Sequence, residues 1–265
     1  MPPIAYTHAL RIVRPLLGVP PAPLRATLRA AGLDWVEDPS NRNPAALRAR
    51  IRAALADPAG TGPDIAAQAT DAQDFSAARA ATDAKVAAEL AARATIHPEG
   101  YARLPPELLS PDALSALIRA LSGAHYPPDR AAVARLAAHP APAVLAGLRL
   151  MPAGRLGPGW LLVREQSAMQ PPIPAAPGVL WDRRFRLAAN TDFPAGATIG
   201  PLGADAAKLR RATRLPSAVL ATLPAIRAHG TLAAVPHIGY PAQGTSTCAP
   251  MFYPAVPAAG APFGV

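Results

Sequence analysis

Apolar side chains recur every three to four positions along much of the chain, and this period predicts amphipathic helices. Leu47 and Ile51 belong to such a stripe, and Asn43 followed by Pro44 is typical of a helix start. Residues 64–95 are rich in alanine and contain no turn former, which predicts a long helix or a pair of helices. Further helices are predicted to begin near Pro23, Pro111 and Pro128.

Shorter apolar runs bounded by glycine and proline predict strands. The predicted strands are residues 10–13, 33–36, 148–151, 160–163, 179–187 and 232–235. The strands at 148–151 and 160–163 flank a turn rich in glycine and proline, which indicates a hairpin. Because strands are predicted towards both ends and helices in the middle, the predicted fold class is α+β.

The net charge of +9 is distributed unevenly along the chain. Residues 61–100 carry three basic and six acidic side chains, whereas both ends of the chain are basic. Two positive surfaces favour an anionic partner, and the phosphate backbone of RNA is the first candidate. An ordinary basic soluble protein is the alternative, because 24 arginines beside two lysines also fit the codon usage of a GC-rich genome.

The cysteine content and the hydropathy pattern indicate the compartment. Cys248 is the sole cysteine, which excludes an internal disulfide and a cysteine-based zinc site. No apolar run approaches the eighteen residues or so that span a bilayer, and Arg11, Arg14 and Pro15 interrupt any signal-peptide core. We therefore expect a cytoplasmic protein without a membrane partner.

Several motifs of nucleotide and metal chemistry are absent from the sequence. It contains no Gly-x-x-x-x-Gly-Lys-Ser/Thr loop, no Gly-x-Gly-x-x-Gly and no Ser-Gly-Gly-x-Asp-Ser loop of the kind that holds pyrophosphate. Nor does it contain the Gly-x-Ser-x-Gly elbow of hydrolases. The six histidines include no pair at helical ligand spacing, so no metal site is predicted.

Residues 35–52 combine acids and arginines in a way that allows two interpretations. A strand leads Glu37 and Asp38 into a turn, and the next helix carries Arg48 and Arg52 on a face that Arg50 does not share. The carboxylates could position an amine or magnesium while the arginines hold phosphates. Alternatively, Asp-Pro-Ser-Asn is an ordinary turn whose ion pairs only fasten a loop to a helix, and the residues alone favour this interpretation.

The order of these segments resembles the end of the catalytic domain of bacterial tRNA(Ile)-lysidine synthase. The segments are Arg-Pro-Leu-Leu at 14–17, Trp-Val-Glu-Asp-Pro-Ser-Asn at 35–41 and Arg-x-Arg-Ile-Arg at 48–52. Shorter similarities to the later domains of the family lie at 126–128, 160–165, 181–185, 215–216, 223–224 and 235–237. The resemblance therefore extends over nearly the whole chain and is strongest over residues 10–52.

The resemblance implies an ATP-dependent ligase that adenylates the wobble cytidine of tRNA(Ile) and replaces the activated oxygen with the amine of free lysine. ATP and magnesium are the cofactors in the family. Its ATP loop lies near the amino terminus, ahead of the Arg-Pro-Leu-Leu segment, and this sequence has no such loop. We therefore expect a truncated chain that is not active alone.

The same resemblance implies roles for individual residues. Asp38 and Asn41 would border the catalytic cleft, and Arg48 and Arg52 would face tRNA phosphate or the adenylate. A second group, Arg183 and Arg184, would belong to the domain that grips the tRNA. Where the family has an aromatic residue and an asparagine near the Arg-rich helix, this sequence has Ala46 and Ala49, which weakens a base-contacting role there. Trp35 and Trp181 are predicted to be core residues.

The predicted organisation has four parts. Residues 1–58 are the C-terminal remnant of an α/β nucleotide-binding-type domain, 59–142 a helical connector domain, 143–240 a mixed α/β tRNA-recognition domain, and 241–265 an extended tail rich in proline, alanine and glycine. A stand-alone tRNA-binding or scaffold protein without catalysis is the alternative function. A DNA-binding protein is less well supported, since no recognition-helix pattern is present. A homodimer is possible.

Overall fold

The computed structural model of the chain describes residues 4–6, 11–16, 18–57, 59–189, 193–241 and 250–254. The chain divides into two compact units, unit 1 (Met1–Thr82) and unit 2 (Asp83–Val265). Helices and antiparallel sheets are both present, which confirms the α+β fold class. Within the described ranges, none of the helices has the length and apolar character needed to cross a membrane. The four-part organisation stays a prediction.

Unit 1 contains one small sheet and several helices. Its elements are β1 (Ile4–Tyr6), β2 (Arg11–Val13), α1 (Pro21–Ala30), a 3₁₀ turn (Pro39–Arg42), α2 (Leu47–Leu55) and the first part of α3 (Pro63–Arg93). β1 and β2 pair antiparallel, with Ile4 opposite Val13. The predicted long helix over 64–95 is confirmed by α3, which continues into unit 2.

Two predictions for unit 1 are wrong in detail. No strand forms over residues 33–36, where the backbone has no ladder partner among the described residues. The second helix begins at Leu47 and not at Pro44, because the Asn43 Oδ1 accepts a hydrogen bond from the Ala45 amide at 2.9 Å and Ala46 is still extended. Local side-chain bonding to the backbone competes here with helix formation.

Unit 2 is built on three antiparallel sheets. The first has the order β3-β4-β7-β6-β5, with β3 (Thr95–Ile96), β4 (Ala102–Leu104), β5 (Ala143–Leu145), β6 (Leu148–Pro152) and β7 (Trp160–Arg164). The second has the order β13-β12-β11-β8, with β8 (Ile173–Pro174), β11 (Thr198–Pro201), β12 (Pro224–Ala228) and β13 (Thr231–Ala234). The third has the order β14-β10-β9, with β9 (Leu180–Trp181), β10 (Phe185–Arg186) and β14 (Met251–Phe252).

The helices of unit 2 have the start and stop signals that the sequence predicts. They are α4 (Pro111–Ser122), α5 (Arg130–Ala138), α6 (Ala206–Leu209) and α7 (Ser217–Ala221). At the start of α4 the Ser110 Oγ accepts a hydrogen bond from the Ala113 amide at 3.3 Å, and Gly123 ends the helix with a φ of 68°. A left-handed residue at this position is a common helix stop, and glycine takes it without a Cβ penalty.

Strand β7 separates two apolar clusters because both of its faces are buried. Leu162 packs with α4, α5 and the end of α3, whereas Leu161 and Val163 pack with α6, α7 and Val235. A third cluster, which includes Trp181 and Phe185, covers the second sheet. The continuous apolar run of β7 is therefore typical of a strand covered on both sides, and the prediction that Trp181 is a core residue is confirmed.

Several strands of unit 2 were not predicted, and one predicted strand is interrupted by a turn. β3 and β4 lie within the segment that was expected to be helical, and β11 and β12 were not predicted at all. The predicted strand over 179–187 is divided into β9 and β10, because Asp182 and Arg183 have φ values of 49° and 54° and form a turn. Within the predicted tail, β14 pairs with β10, and most other tail residues lie outside the described ranges.

Two partly buried histidines give unit 2 a predicted pH dependence. His97 stacks on Tyr101 with ring centroids 4.3 Å apart, and the His237 Nε2 lies 3.1 Å from the Pro98 carbonyl oxygen. Burial lowers the pKa of both imidazoles from 6.5, against the opposing charge of Glu99. Below pH 6.5 the unfolded chain therefore binds more protons than the folded chain. The free energy of unfolding is accordingly highest above that pH and decreases as the pH falls below it.

We expect the melting temperature of unit 2 to fall between pH 7.5 and pH 5.5 in a thermal scan followed by circular dichroism. His237→Gln removes one titrating group and should reduce the fall, whereas His139→Gln, at an exposed position, should leave it unchanged. If the melting temperature falls equally in the wild type and in His237→Gln, the pKa of the His237 imidazole does not change on unfolding.

Candidate functional site

The predicted cleft residues lie on the 3₁₀ turn of unit 1. Asp38 precedes the turn, and its Oδ1 accepts a hydrogen bond from the Ser40 amide at 2.8 Å. This backbone hydrogen bond lowers the pKa of Asp38, so the carboxylate is ionised at neutral pH. As a consequence, one oxygen of Asp38 holds the turn while the exposed side chain still faces solvent.

Asn41 connects this turn to α2. Its Oδ1 accepts a hydrogen bond from the Arg52 Nη1 at 3.3 Å, across eleven residues of sequence. The backbone of Arg48 also lies on α2, and its side chain is outside the described part of the structure. The structure therefore brings Asn41 and Arg52 together.

A cavity of about 500 Å³ opens beside this contact. Its lining residues are Asn41, Pro44, Ala49, Arg50, Arg52, Ala53, Ala56 and Asp57. Arg50 was predicted to point away from Arg52, yet both contribute to the cavity. Two guanidinium groups and one amide can bind an oxyanion such as a phosphate through several N–H donors. Asp38 is not among the lining residues.

Asp57 is a lining residue that the sequence analysis did not single out. Its carboxylate accepts hydrogen bonds from the Gly60 amide at 2.9 Å and the Gly62 amide at 2.6 Å. The hydrogen bond from Gly62 has the largest part in lowering the pKa of Asp57. The Asp-Pro-Ala-Gly-Thr-Gly sequence at 57–62 was the available signal, because aspartate before glycines favours such a turn.

Glu37 has different partners from those that the sequence suggested. Its Oε1 accepts hydrogen bonds from the Arg25 Nη2 at 2.9 Å and from the Trp35 indole at 3.0 Å. The Arg29 guanidinium also lies 5.1 Å from the centre of the Trp35 ring. Glu37 and Trp35 therefore fasten the extended segment to α1, and Trp35 is partly exposed, which differs from its predicted core position.

In unit 2, Arg183 and Arg184 have opposite environments. Arg183 is exposed at the turn between β9 and β10, whereas Arg184 is 1% exposed. The Arg184 Nε donates to the Asp182 Oδ2 at 2.8 Å, and its Nη1 donates to the Gly100 carbonyl at 3.2 Å. As folded, Arg184 has no surface that can reach a phosphate. We therefore replace the predicted RNA contact of Arg184 with a structural role.

Four exposed basic side chains that were not predicted as site residues lie at the end of α6 and just after it. They are Lys208, Arg210, Arg211 and Arg214, which we call the α6 basic group. Lys208 forms an ion pair with Asp205 at 2.8 Å, and this hydrogen bond raises the pKa of the Lys208 ammonium. Leu209 is buried beside them and anchors the segment. Four basic residues within seven positions were the available signal.

Metal-binding geometry is not found in the parts of the chain that the structure describes. No group of three or more His, Asp, Glu or Cys side chains there is arranged to hold an ion. The cavity of unit 1 is lined by Arg50, Arg52 and Asp57, and its excess of cationic groups suits an anion better than a cation.

Comparison with known families places the amino-terminal segment in a class of nucleotide-binding proteins. Residues 1–58 match the ATP_bind_3 family, which is described as a PP-loop domain. This range includes the turn, α2 and all of the lining residues of the cavity. The segment that carries the candidate site is therefore part of a PP-loop domain.

Similar proteins of known name identify the family within this class. The tRNA(Ile)-lysidine synthase of Ruegeria pomeroyi is 32% identical over 254 residues, which cover 90% of this chain and 58% of the relative. That of Mesorhizobium japonicum is 34% identical over 205 residues, which cover 74% of this chain and 44% of the relative. This chain belongs to the tRNA(Ile)-lysidine synthase family, and the matches span 58% and 44% of the length of these two relatives.

Proposed function

We propose that this chain is the tRNA-recognising part of a lysidine-forming ligase. The complete enzyme would use ATP to join free lysine to the wobble cytidine of tRNA(Ile), which is the reaction that the family resemblance implies. The observation that carries the proposal is the similarity to the Ruegeria pomeroyi synthase over 90% of this chain. A cytoplasmic location is part of the proposal, because tRNA is modified where it is used.

Asp38, Asn41, Arg48 and Arg52 are proposed to border the reaction cleft. The hydrogen bond between Asn41 and Arg52, together with the cavity beside it, supports the assignment of these two residues, and the assignment of Asp38 and Arg48 rests on the resemblance. In this arrangement Arg50 and Arg52 would hold a phosphate of tRNA or of the adenylate. Asp38, ionised at neutral pH, would orient the lysine ammonium.

The residues present do not make a complete site for ATP. The sequence contains no Ser-Gly-Gly-x-Asp-Ser loop, and one cavity wall with two guanidinium groups does not replace the backbone amides of such a loop. We therefore propose that ATP and magnesium bind to a part of the enzyme outside this sequence, and that this chain is truncated and inactive alone.

A stand-alone tRNA-binding protein is the second candidate. The observation in its favour is that unit 2 has three buried apolar clusters, so its fold does not depend on a nucleotide-binding part. Both candidates predict that unit 2 binds tRNA, and they differ in whether lysidine is ever made.

The tRNA contact is expected to depend on salt and on the α6 basic group. Binding of tRNA(Ile), measured by fluorescence anisotropy, should weaken steeply with salt because phosphate contacts release counterions. The triple variant Arg210→Glu, Arg211→Glu, Arg214→Glu should bind tRNA(Ile) more weakly. Its plot of the logarithm of the binding constant against the logarithm of the salt concentration should have a slope that is less negative by about three. The matched control Arg130→Glu, Arg135→Glu, Arg149→Glu changes the net charge equally at other exposed positions.

Two results would contradict parts of this proposal. If both triple variants weaken tRNA binding equally, the binding depends on the net charge of the protein alone. The α6 basic group would then not be a specific tRNA contact. Lysidine detected by mass spectrometry after incubation of this chain with tRNA(Ile), ATP, magnesium and lysine would show that the chain is active alone.

A further inference from the structure

Asp57 brings a negative charge into the cavity of unit 1, to which the proposed function assigns only a phosphate. The cavity measures about 500 Å³, within the range of roughly 300–1,000 Å³ that is usual for small-molecule sites. Arg50 and Arg52 line it together with Asp57. Among the described residues, neither guanidinium group forms an ion pair with the Asp57 carboxylate. Opposite charges therefore line one cavity without pairing with each other.

The two kinds of charge lie at different positions along α2. Arg50 and Arg52 belong to the helix, whereas Asp57 comes directly after its left-handed C-cap residue, Ala56. A helix rises by 1.5 Å per residue, so the positions of Arg52 and Asp57 differ by roughly 8 Å along the helix direction. Ala53 and Ala56 line the cavity between them, and their short side chains allow a ligand to approach the helix closely. The cavity therefore has a cationic end and an anionic end.

The Asp57 carboxylate can accept further hydrogen bonds. The amides of Gly62 and Gly60 each donate to one of its oxygens, and a carboxylate has about four acceptor positions. These hydrogen bonds, above all the one from Gly62, lower the pKa of Asp57, so the carboxylate is ionised at neutral pH and can only accept. The carbonyl end of α2 adds partial negative charge nearby. A ligand group at this end must therefore be a hydrogen-bond donor.

A nucleotide can carry both of the groups that the cavity selects. Its phosphate suits the guanidinium groups. Cytosine and adenine have an exocyclic amino group, which donates hydrogen bonds, whereas uracil and hypoxanthine have a carbonyl oxygen at that position, which accepts them. Carboxylates are common acceptors for the amino group of cytosine. All lining residues of the cavity lie within the segment that matches the ATP_bind_3 family, which favours a nucleotide over a free amino acid as the ligand.

We infer that Asp57 is a specificity-determining residue that accepts a hydrogen bond from the exocyclic amino group of a nucleotide whose phosphate is held by Arg50 and Arg52. This inference rests on the proposed function and adds the class of base that the cavity accepts. The nucleotide is a cytidine of the tRNA or the adenosine of the adenylate, and both carry the amino group. A base with a carbonyl oxygen at that position would place two acceptors against each other, which weakens binding.

The test measures the binding of nucleoside monophosphates to the full chain by NMR titration. The cytidine and uridine monophosphates form one pair, and the adenosine and inosine monophosphates form the other. We expect the amino member of one pair to bind at least about fivefold more tightly than its carbonyl counterpart. A preference within the first pair identifies the tRNA base as the ligand, and a preference within the second pair identifies the adenylate.

Asp57→Asn should abolish this preference, because the side-chain amide can donate to a carbonyl oxygen as well as accept from an amino group. Asp64→Asn is the matched control, since it removes the same charge at an exposed position on α3 that does not line the cavity. Arg50→Ala should weaken the binding of both members of a pair equally, because it removes a contact to the phosphate alone. Inorganic phosphate, titrated into Asp57→Asn, should still bind and so report an intact cationic end.

Three results would overturn the inference. If both members of each pair bind equally tightly to the wild type, Asp57 does not select the base, although the phosphate contact of the proposed function stands. The same conclusion follows if the preference persists in Asp57→Asn. If neither the nucleotides nor inorganic phosphate bind, the phosphate contact of Arg50 and Arg52 fails as well. The binding of tRNA to unit 2 is measured separately and does not depend on any of these results.

Discussion

Asp182→Ala is expected to lower the free energy of unfolding of unit 2 by about 3–5 kcal/mol, because it removes the counter-ion of two buried arginines. Asp182 is 4% exposed, and its Oδ2 lies 2.7 Å from the Arg184 Nη2 and 3.2 Å from the Arg164 Nε. Burial lowers the pKa of Arg184 to about 10 in the presence of Asp182, so the guanidinium is charged at neutral pH in the folded protein and loses its counter-ion in the variant. Urea unfolding followed by circular dichroism measures the loss.

The neighbouring Arg183 provides the control for this experiment. It lies in the same turn with a similar positive φ but is exposed, so Arg183→Ala should change the free energy of unfolding by much less. If both variants lose the same stability, the turn conformation is the cause and the buried ion pairs contribute little.

Gly159→Ala is expected to cost roughly 2–6 kcal/mol of folding free energy, combining backbone strain and overpacking. Gly159 has a φ of 101°, and an added Cβ would lie 2.2 Å from the Leu104 carbonyl oxygen. That oxygen belongs to the backbone at the end of β4, where β4 pairs with β7, so it cannot rotate away. The same urea experiment measures the cost.

Gly178→Ala separates the two contributions. Gly178 also has a positive φ, 72°, but an added Cβ there would meet nothing within 4 Å. It should therefore lose only the left-handed backbone cost of about 1–2 kcal/mol. Equal losses at the two glycines would mean that the β4 backbone moves to accept the methyl group.

Local signals predicted much of the secondary structure. The Ser-Pro-Asp start of α4 and its final glycine appear in the sequence as a helix cap and a left-handed stop, and both are found. The hairpin of β6 and β7 follows from two apolar runs separated by a Gly/Pro-rich turn. In each case the determining residues are close together in sequence.

Contacts between residues that are far apart in sequence could not be predicted from such local signals. Trp-Asp-Arg-Arg-Phe at 181–185 resembles a basic strand edge, yet Arg184 is buried because Gly100, 84 positions earlier, supplies a carbonyl acceptor. β4 is short, and it pairs with β7, more than fifty residues later in the sequence. Neither apolar period nor turn composition reports such pairings.

The candidate site was predicted in part. The motif identified the turn at Asp38, which the structure contains, and predicted arginines of the next helix close to Glu37 and Asp38, whereas Arg52 contacts Asn41. It could not indicate that Glu37 pairs with Arg25, because the choice between arginines of α1 and α2 depends on how the extended segment lies on α1. Arg50 also lines the cavity, although it lies on α2 two positions from Arg52 and so points in another direction from the helix axis.

The unequal distribution of buried side chains also determines how the chain responds to heat. The heat-capacity change of unfolding arises mainly from apolar surface that becomes hydrated, cooperative unfolding requires a packed core, and the described part of unit 1 has little buried apolar surface. A calorimetric endotherm of this chain would therefore belong to unit 2. The helices α1 and α2 would lose their structure gradually at lower temperature, with no cooperative transition of their own.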